Sequence, residues 1–556
     1  MQSGQPAQPP QDPSYGQAGQ QGPTGPGPGW PPAGQPYGGQ PGGGQPYGGQ
    51  PGDGPYAGQP PYGGPQQGFA SAQWQPEPKR RGKLIPLIVA LAVLIVFGGG
   101  GAFAYSRLNG GDQPSAVLPG TAVAYARVDL NPSAGQRVAA LRFLMKFPSV
   151  RDEIGLTSDN DDLHQKLFEL LKKNAGDDLA EVDFDRDVKP WLGDRLAVAA
   201  VPSHGLGKPD PVIAVQVKDE DKARAGLDKL FADEKDKPGL AFVGKYAILG
   251  EDQAKVDSAV AVGKDNPLES NEKFSHDLSD LGEQGFASFW ADTRAAAELA
   301  GDKLTDQQRA ALPVGSAAAV LRFDSQYVEL KAVMHGGQTL TPTTTGAGDV
   351  VATLPGSTAA ALAISDGESL VGTIWDQLQK SLAGSGIKLG ELTKGFSEEY
   401  GLTLPDDLKP LLGKSLALAV DKESGDLPKI AARIETDPAK AEAVVDKVTA
   451  LVASQTGADV PIEKAKDGDT LVLATDKGYA DKVLKGGNLG QTDNFRQAVP
   501  DAKGALMLGY VDFEAARSLN PEFGSNKDLA VLRSAGCVVR ITGDAEADLT
   551  LRLVAK

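Results

Sequence analysis

Few side chains in this 556-residue chain have the types and spacing for chemistry. Gly413-Lys414-Ser415 matches the end of a phosphate-binding loop, where backbone N–H groups and a lysine cradle phosphate. Position 408 is leucine where that motif needs glycine, and a strand-like run follows. No helix N-terminus would therefore face a phosphate. Asp183, Asp185 and Asp187 have the spacing of calcium-loop ligands, but Val188 stands where the loop needs glycine for its sharp turn. Ser270-Asn271-Glu272-Lys273 and Ser385-Gly386-Ile387-Lys388 both fit Ser-x-x-Lys, and Ser158-Asp159-Asn160 fits the second element of penicillin-binding enzymes. The order of these elements is wrong for that chemistry, and Lys-Thr-Gly is missing. His164, His204, His276 and His335 are far apart, each expected in a helix or loop. None forms His-Glu-x-x-His, so a zinc hydrolase has no visible ligand set. Cys537, the only cysteine, sits in a predicted strand and reads as a small core residue, and no intramolecular disulfide is possible. Trp191 and Trp290 fit packing roles. No catalytic, cofactor-binding or metal-binding residue is assigned.

The elements that would position such residues run twice. Leu118-Pro119-Gly120 leads into the apolar run Thr121–Val128, and Leu354-Pro355-Gly356 leads into Thr358–Ile364. Asp187-Val188-Lys189-Pro190-Trp191-Leu192-Gly193 is matched by Asp407-Leu408-Lys409-Pro410-Leu411-Leu412-Gly413. Each precedes an alternating run: Leu196, Val198 and Ala200, then Leu416, Leu418 and Val420. Alternation at period two predicts half-buried strands. Ile213, Val215 and Val217 precede a helix start at Asp219. Ile430, Ala432 and Ile434 precede one at Asp437-Pro438, a cap followed by proline in the first turn. Tyr246–Leu249 answers to Thr470–Leu473, Phe274 to Phe495, and Phe286–Asp292 to Leu506–Asp512. Closing strand pairs are predicted at Ala318–Phe323 with Val328–Met334, and at Cys537–Thr542 with Leu549–Val554. Short connections predict mostly antiparallel pairing, hence an α+β fold duplicated over residues 116–335 and 350–556. The first copy has an extra helix with Leu163, Leu167, Leu170 and Leu171 on one face. A Thr/Gly-rich linker is expected at 336–349, and the two copies invite a cleft between them.

Upstream the chain changes character. Leu84–Tyr105 has no charge and is long enough to cross a hydrocarbon core of roughly 30 Å as a helix. A transmembrane helix is expected over 84–106. Lys79, Arg80, Arg81 and Lys83 precede it and Arg107 alone follows closely, so the N-terminus is expected in the cytoplasm and the C-terminal bulk outside. Ala102-Phe103-Ala104 also has the form of a signal-peptidase site, so cleavage after Ala104 is the alternative. The eighty or so residues before the stretch exceed an ordinary signal n-region and argue for a retained anchor. Residues 1–78 hold no Leu, Ile or Val and consist largely of Gly, Pro and Gln. Such a segment cannot bury enough apolar surface to offset its chain entropy and is expected to be disordered. Its spaced aromatics, among them Tyr37, Tyr47 and Trp74, suit weak protein contacts.

Net charge is −17, and the residues beyond 83 carry −18, since residues 1–83 hold four basic and three acidic side chains. An acidic ectodomain has no electrostatic reason to hold nucleic acid. The Leu-Pro-Gly openings, the Lys-Pro-x-Leu-Gly turns and the closing strand pairs together resemble the bacterial family called domain of unknown function thirty-three fifty-two, over about residues 80–556. Members are single-pass membrane proteins of high-GC Gram-positive bacteria. The resemblance implies topology and transfers no catalytic residue. The expected function is a membrane-anchored, non-catalytic binding or scaffold module of the cell envelope that takes a lipid, peptide or protein. The alternative is an envelope hydrolase whose site assembles only in three dimensions. Converging carboxylates or a Ser/Lys pair in a deep cleft would favour the enzyme, and a continuous apolar groove the binder.

Overall fold

The structure is a computed structural model. It describes residues 112–158, 160–175, 179–203, 208–232, 237–299, 315–336, 346–382, 389–423, 428–457, 461–519 and 522–556. The tail expected over 1–78, the transmembrane helix expected over 84–106 and most of the expected linker lie outside these residues. Among the described residues no helix is long and apolar enough to cross a membrane.

Among the described residues sixteen strands form one sheet in which every pair is antiparallel. In the first half they are β1 (Ala124–Asp129), β2 (Leu192–Val201), β3 (Asp210–Val217), β4 (Gly239–Val243), β5 (Tyr246–Gly250), β6 (Ala287–Asp292), β7 (Gly315–Phe323) and β8 (Tyr327–Gly336). In the second they are β9 (Thr358–Ser365), β10 (Ser415–Asp421), β11 (Ile430–Glu435), β12 (Glu463–Asp467), β13 (Thr470–Ala474), β14 (Ala505–Asp512), β15 (Leu532–Gly543) and β16 (Glu546–Ala555). From the outer edge inward the first half runs β4-β5-β3-β2-β1-β6-β7-β8 and the second runs β12-β13-β11-β10-β9-β14-β15-β16. The two orders are the same, so the duplication is one of topology. The halves meet through β8 and β16, with Leu330 opposite Leu551. The cleft expected between copies is therefore replaced by a shared sheet: each closing hairpin leaves an unpaired edge, and pairing them removes both edges.

The helices are α1 (Ala134–Met145), α2 (Pro148–Ile154), α3 (Leu163–Ala175), α4 (Glu220–Leu230), α5 (Gln253–Asp265), α6 (Glu272–Leu281) and α7 (Thr293–Leu299) in the first half. The second has α8 (Ala347–Ala352), α9 (Gly367–Leu382), α10 (Leu389–Tyr400), α11 (Lys409–Leu412), α12 (Pro438–Thr456), α13 (Lys477–Lys485), α14 (Asp493–Ala498), α15 (Phe513–Leu519), α16 (Glu522–Ser525) and α17 (Lys527–Val531). α8 begins inside the span expected to be linker because Ala347, Val350 and Val351 are buried against the sheet. Helix starts repeat with the topology. Asp219 and Asp437 each accept backbone N–H groups at the starts of α4 and α12, and Asp252 and Asp476 do so for α5 and α13. Asn271 and Thr492 cap α6 and α14. Each cap satisfies donors that have no partner inside the helix, at about 1 kcal/mol.

One face of the sheet, here the inner face, is packed alike in both halves. Tyr125, Ala197, Ala214, Ile248 and Trp290 meet Phe274 and Leu278 of α6 in the first. Ala361, Ala417, Ala431, Val472 and Tyr510 meet Phe495 of α14 and Val483 of α13 in the second. Two edge strands escaped the sequence reading. β12 reads Glu-Lys-Ala-Lys-Asp, and its lysines pair with Asp446 and Glu442 of α12. Charge on an edge strand blocks pairing with another chain and hides the strand from a hydrophobicity pattern.

Candidate apolar binding site

The opposite, outer face differs between halves. In the first half Ala140 and Phe143 of α1 pack on Ala287, Leu321 and Phe323. Phe168 of α3 and Leu227 of α4 pack on Ile213, Val215 and Leu249. A cavity of about 180 Å³ remains under α3 and α4, lined by Leu167, Phe168, Leu171, Leu196, Leu227 and Phe231, among others. At its rim His164 Nε2 lies 3.1 Å from Asp194, whose carboxyl this contact holds below its usual range.

In the second half α12 covers only the outer strands, with Val444 and Val445 buried. α9 packs against α11 instead of folding back over β9, with Gly367 pressed on Leu412. The middle of the outer face stays bare. Of the ten large hydrophobic side chains exposed among the described residues, all but Met334 belong to this half. Leu362 is 52 % exposed, Leu418 42 %, Met507 41 % and Leu551 40 %. Three of these, Leu362, Leu418 and Leu551, line a trough of about 570 Å³ together with Val420, Val511 and Cys537, among others. That volume falls in the range of small-molecule sites, and every lining side chain except the Tyr510 ring's hydroxyl and the Cys537 thiol is hydrocarbon or glycine. The strands beneath have spent their N–H and C=O groups on each other, so the surface offers nothing to a peptide backbone. On α9, Ile374 and Leu378 are also exposed, one turn apart on one face.

The residues singled out by spacing scatter. Ser270 Oγ donates to the Pro267 carbonyl, while Lys273 Nζ pairs with Asp292, so no Ser/Lys pair forms. Asn160 N donates to Ser158 Oγ within a loop, and Asp159, His204, Ser385 and Lys388 lie outside the described residues. Asp183 caps the turn Phe184–Val188, Asp185 pairs with Lys189, and Asp187 accepts from Arg186 and Lys229. The Arg186 hydrogen bonds, with Lys229 beside them, pull the Asp187 carboxyl well below the ordinary range. The trio is thus one turn cap and two separate ion pairs. Lys414 is exposed and Ser415 buried. Trp191 donates to the Asp187 carbonyl inside the core. Cys537 faces the trough, half buried, and burial raises its thiol pKa.

The reading of the histidines as far apart is corrected. His335 is in β8, and folding brings it against His276 of α6, with ring centroids 4.7 Å apart. His335 Nδ1 is 2.7 Å from Asp277 Oδ1, and Trp290 Nε1 donates to Asp277 Oδ2 at 2.7 Å. Sequence spacing missed the pair because one partner comes from a helix and the other from the last strand of the half. The Phe274–Phe495 match already placed His276 beside the inner face, and a register for β8 would have completed it.

An antiparallel α+β sheet with a repeated strand order and helices on its faces is the class this chain defines. The family model described as "Protein of unknown function (DUF3352)" matches residues 87–242 and 232–472, and the chain belongs to that family. No curated protein and no solved structure matches it.

Proposed function

We propose that the protein is a membrane-anchored envelope module that binds the hydrocarbon chain of a lipid in the trough of its second half, without catalysis. The observation that carries this reading is the bare outer face between β10 and β16. Exposed apolar area costs about 25 cal/mol per Å², so a face that lacks its own cover favours an apolar occupant. A hydrocarbon chain needs no hydrogen bonds there, whereas a peptide would leave backbone groups unsatisfied. Anchoring by Leu84–Tyr105, with the N-terminus cytoplasmic, holds the module beside the bilayer that supplies the lipid.

Cys537 is the only cysteine and faces the trough, so it reports on the trough's occupancy. With the full chain in vesicles, a long-chain fatty acid is expected to slow alkylation of Cys537 at least ~10-fold, and Leu418→Asp to remove that protection. An alkylation rate indifferent to fatty acid refutes trough binding. On intact cells, a membrane-impermeant maleimide is expected to label a Lys414→Cys, Cys537→Ala variant, whose thiol stands at an exposed position outside the trough's lining. Labelling only after lysis refutes the orientation.

A further inference from the structure

On the inner face, far from the trough's lining, four ligand-type side chains converge where α6 crosses β8. One ligand atom from each of His276, Asp277 and His335 lies within 4.8 Å of the others. Asp280, one turn along α6 from His276, joins them: its Oδ2 is 3.1 Å from His335 Nε2 and 3.7 Å from His276 Nδ1. We propose that this cluster is a zinc-class divalent metal site, with His276, His335 and Asp280 as ligands and Asp277 as the residue that positions His335.

Three observations support it. The first is tautomer logic. The Asp277 carboxylate is 1 % exposed and already accepts from the Trp290 indole. It accepts the His335 Nδ1 proton through its other oxygen. In a neutral imidazole this leaves the Nε2 lone pair facing the Asp280 carboxylate, two acceptors 3.1 Å apart. A cation at that point turns a repulsion into two bonds. The second is spacing. Zinc bonds of 2.0–2.1 Å in a tetrahedron put ligand atoms about 3.3 Å apart, and the two distances to Asp280 Oδ2 bracket that value. A buried carboxylate fixing the far nitrogen of a ligand histidine is the usual support of such sites.

The third comes from the other half. Counting from the Phe274–Phe495 match, His276 and Asp277 correspond to Gln497 and Ala498. The match of Phe286–Asp292 with Leu506–Asp512 pairs Trp290 with Tyr510, and the strand registers carry it through Ala318 and Gly536 to Val333 and Arg552, which sets His335 against Val554, fully buried. The second half folds the same way with neither histidine, and Asp501, the counterpart of Asp280, pairs with Arg540 instead, so the fold does not require the cluster. His276 is mostly exposed and Asp280 partly so, which leaves a coordination position open to solvent.

The test is metal binding by the full chain, with Zn²⁺ titration and Co²⁺ substitution as readouts. One equivalent is expected, with visible absorption of a four-coordinate Co²⁺ centre. His276→Gln imports the second half's residue at an exposed position, so it folds, and it is expected to weaken binding more than 10-fold. His335→Gln is expected to abolish the Co²⁺ spectrum. Asp280→Asn is expected to weaken binding more than Asp277→Asn, whose positioning role is worth about 10–100-fold. Absence of stoichiometric metal in the wild type, or binding unchanged in both histidine variants, overturns the site. The reverse order of the two Asp variants overturns the assignment of roles.

Discussion

The two halves share a strand order, a set of helix caps and an inner face, yet one outer face is sealed and the other is open. What the halves hold in common is what either needs to fold. What they do not share the fold can do without, and three such differences stand out. The first half has the His276/His335 cluster and a buried ion group formed by Arg127, Asp129 and Arg195. The second half has the trough. A duplicated chain thus contains its own control: each local feature can be exchanged for the residue its counterpart already tolerates.

The ion group gives the largest expected effect. Asp129 Oδ2 accepts from Arg127 at 2.6 Å and from Arg195 at 2.9 Å, and Arg127 and Asp129 are almost wholly buried. Asp129 sits opposite Arg195 across β1 and β2. At the same cross-strand position of the second half, Ser365 faces Ser415, and Ala363 stands where Arg127 would be. Asp129→Ser leaves two arginines without their carboxylate and is expected to cost about 3–5 kcal/mol in chemical denaturation. Importing the whole set, Arg127→Ala with Asp129→Ser and Arg195→Ser, is expected to recover most of that loss, because a neutral pair replaces the charged group. A triple variant no more stable than the single one would show that the halves have diverged beyond exchange.

Sealed and open faces are compared next. Phe168 on α3 is 8 % exposed and closes the first half's outer face. Phe168→Ala is expected to cost about 3 kcal/mol, from lost burial plus an enlarged cavity. Leu418→Ala in the trough is expected to cost about 1 kcal/mol or less, since its side chain is 42 % exposed. Urea midpoints of the two variants decide the matter. A large loss for Leu418→Ala would mean that the trough is covered in solution.

Much of this was legible beforehand. The Asp219 and Asp437 starts, the alternating strands and the closing hairpins all follow from period and capping residues, which act locally. The bare face was not. β9 and β10 are apolar on both sides: Ala361 and Ala363 against Leu362 and Ile364, Ala417 and Ala419 against Leu416 and Leu418. Period two reads Leu416, Leu418 and Val420 as the buried side of a half-buried strand, yet the core takes the alanine side and leaves Leu418 exposed. Whether a cover arrives depends on how α9 leaves β9, and the close contact of Gly367 with Leu412 sets that direction. The union of β8 with β16 and the meeting of His276 with His335 are likewise contacts between distant segments, invisible to spacing.

The smallest effect separates two versions of one shared device. Asp187 and Asp407 each tie the turn before a strand to the following helix. Each accepts a backbone N–H four residues upstream, from Asp183 and Thr403, and each pairs with a lysine, Lys229 or Lys447. Asp187 alone adds Arg186, through two hydrogen bonds of 2.8 Å. Those bonds lower its folded-state pKa below the ordinary carboxylate value near 3.9. A carboxyl depressed in the folded state contributes stability that is fully present above the unfolded pKa and is lost as pH falls through the folded one. Asp187→Asn is therefore expected to cost about 1 kcal/mol at neutral pH, the loss of charge-assisted bonds near the surface. It is expected to cost progressively less below about pH 4, where the wild-type carboxyl itself begins to lose its advantage in holding no proton. Acid titrations of stability for the wild type and Asp187→Asn should converge toward low pH. Parallel curves down to pH 2 would mean that the Arg186 contact adds nothing to what the second half achieves with Lys447 alone.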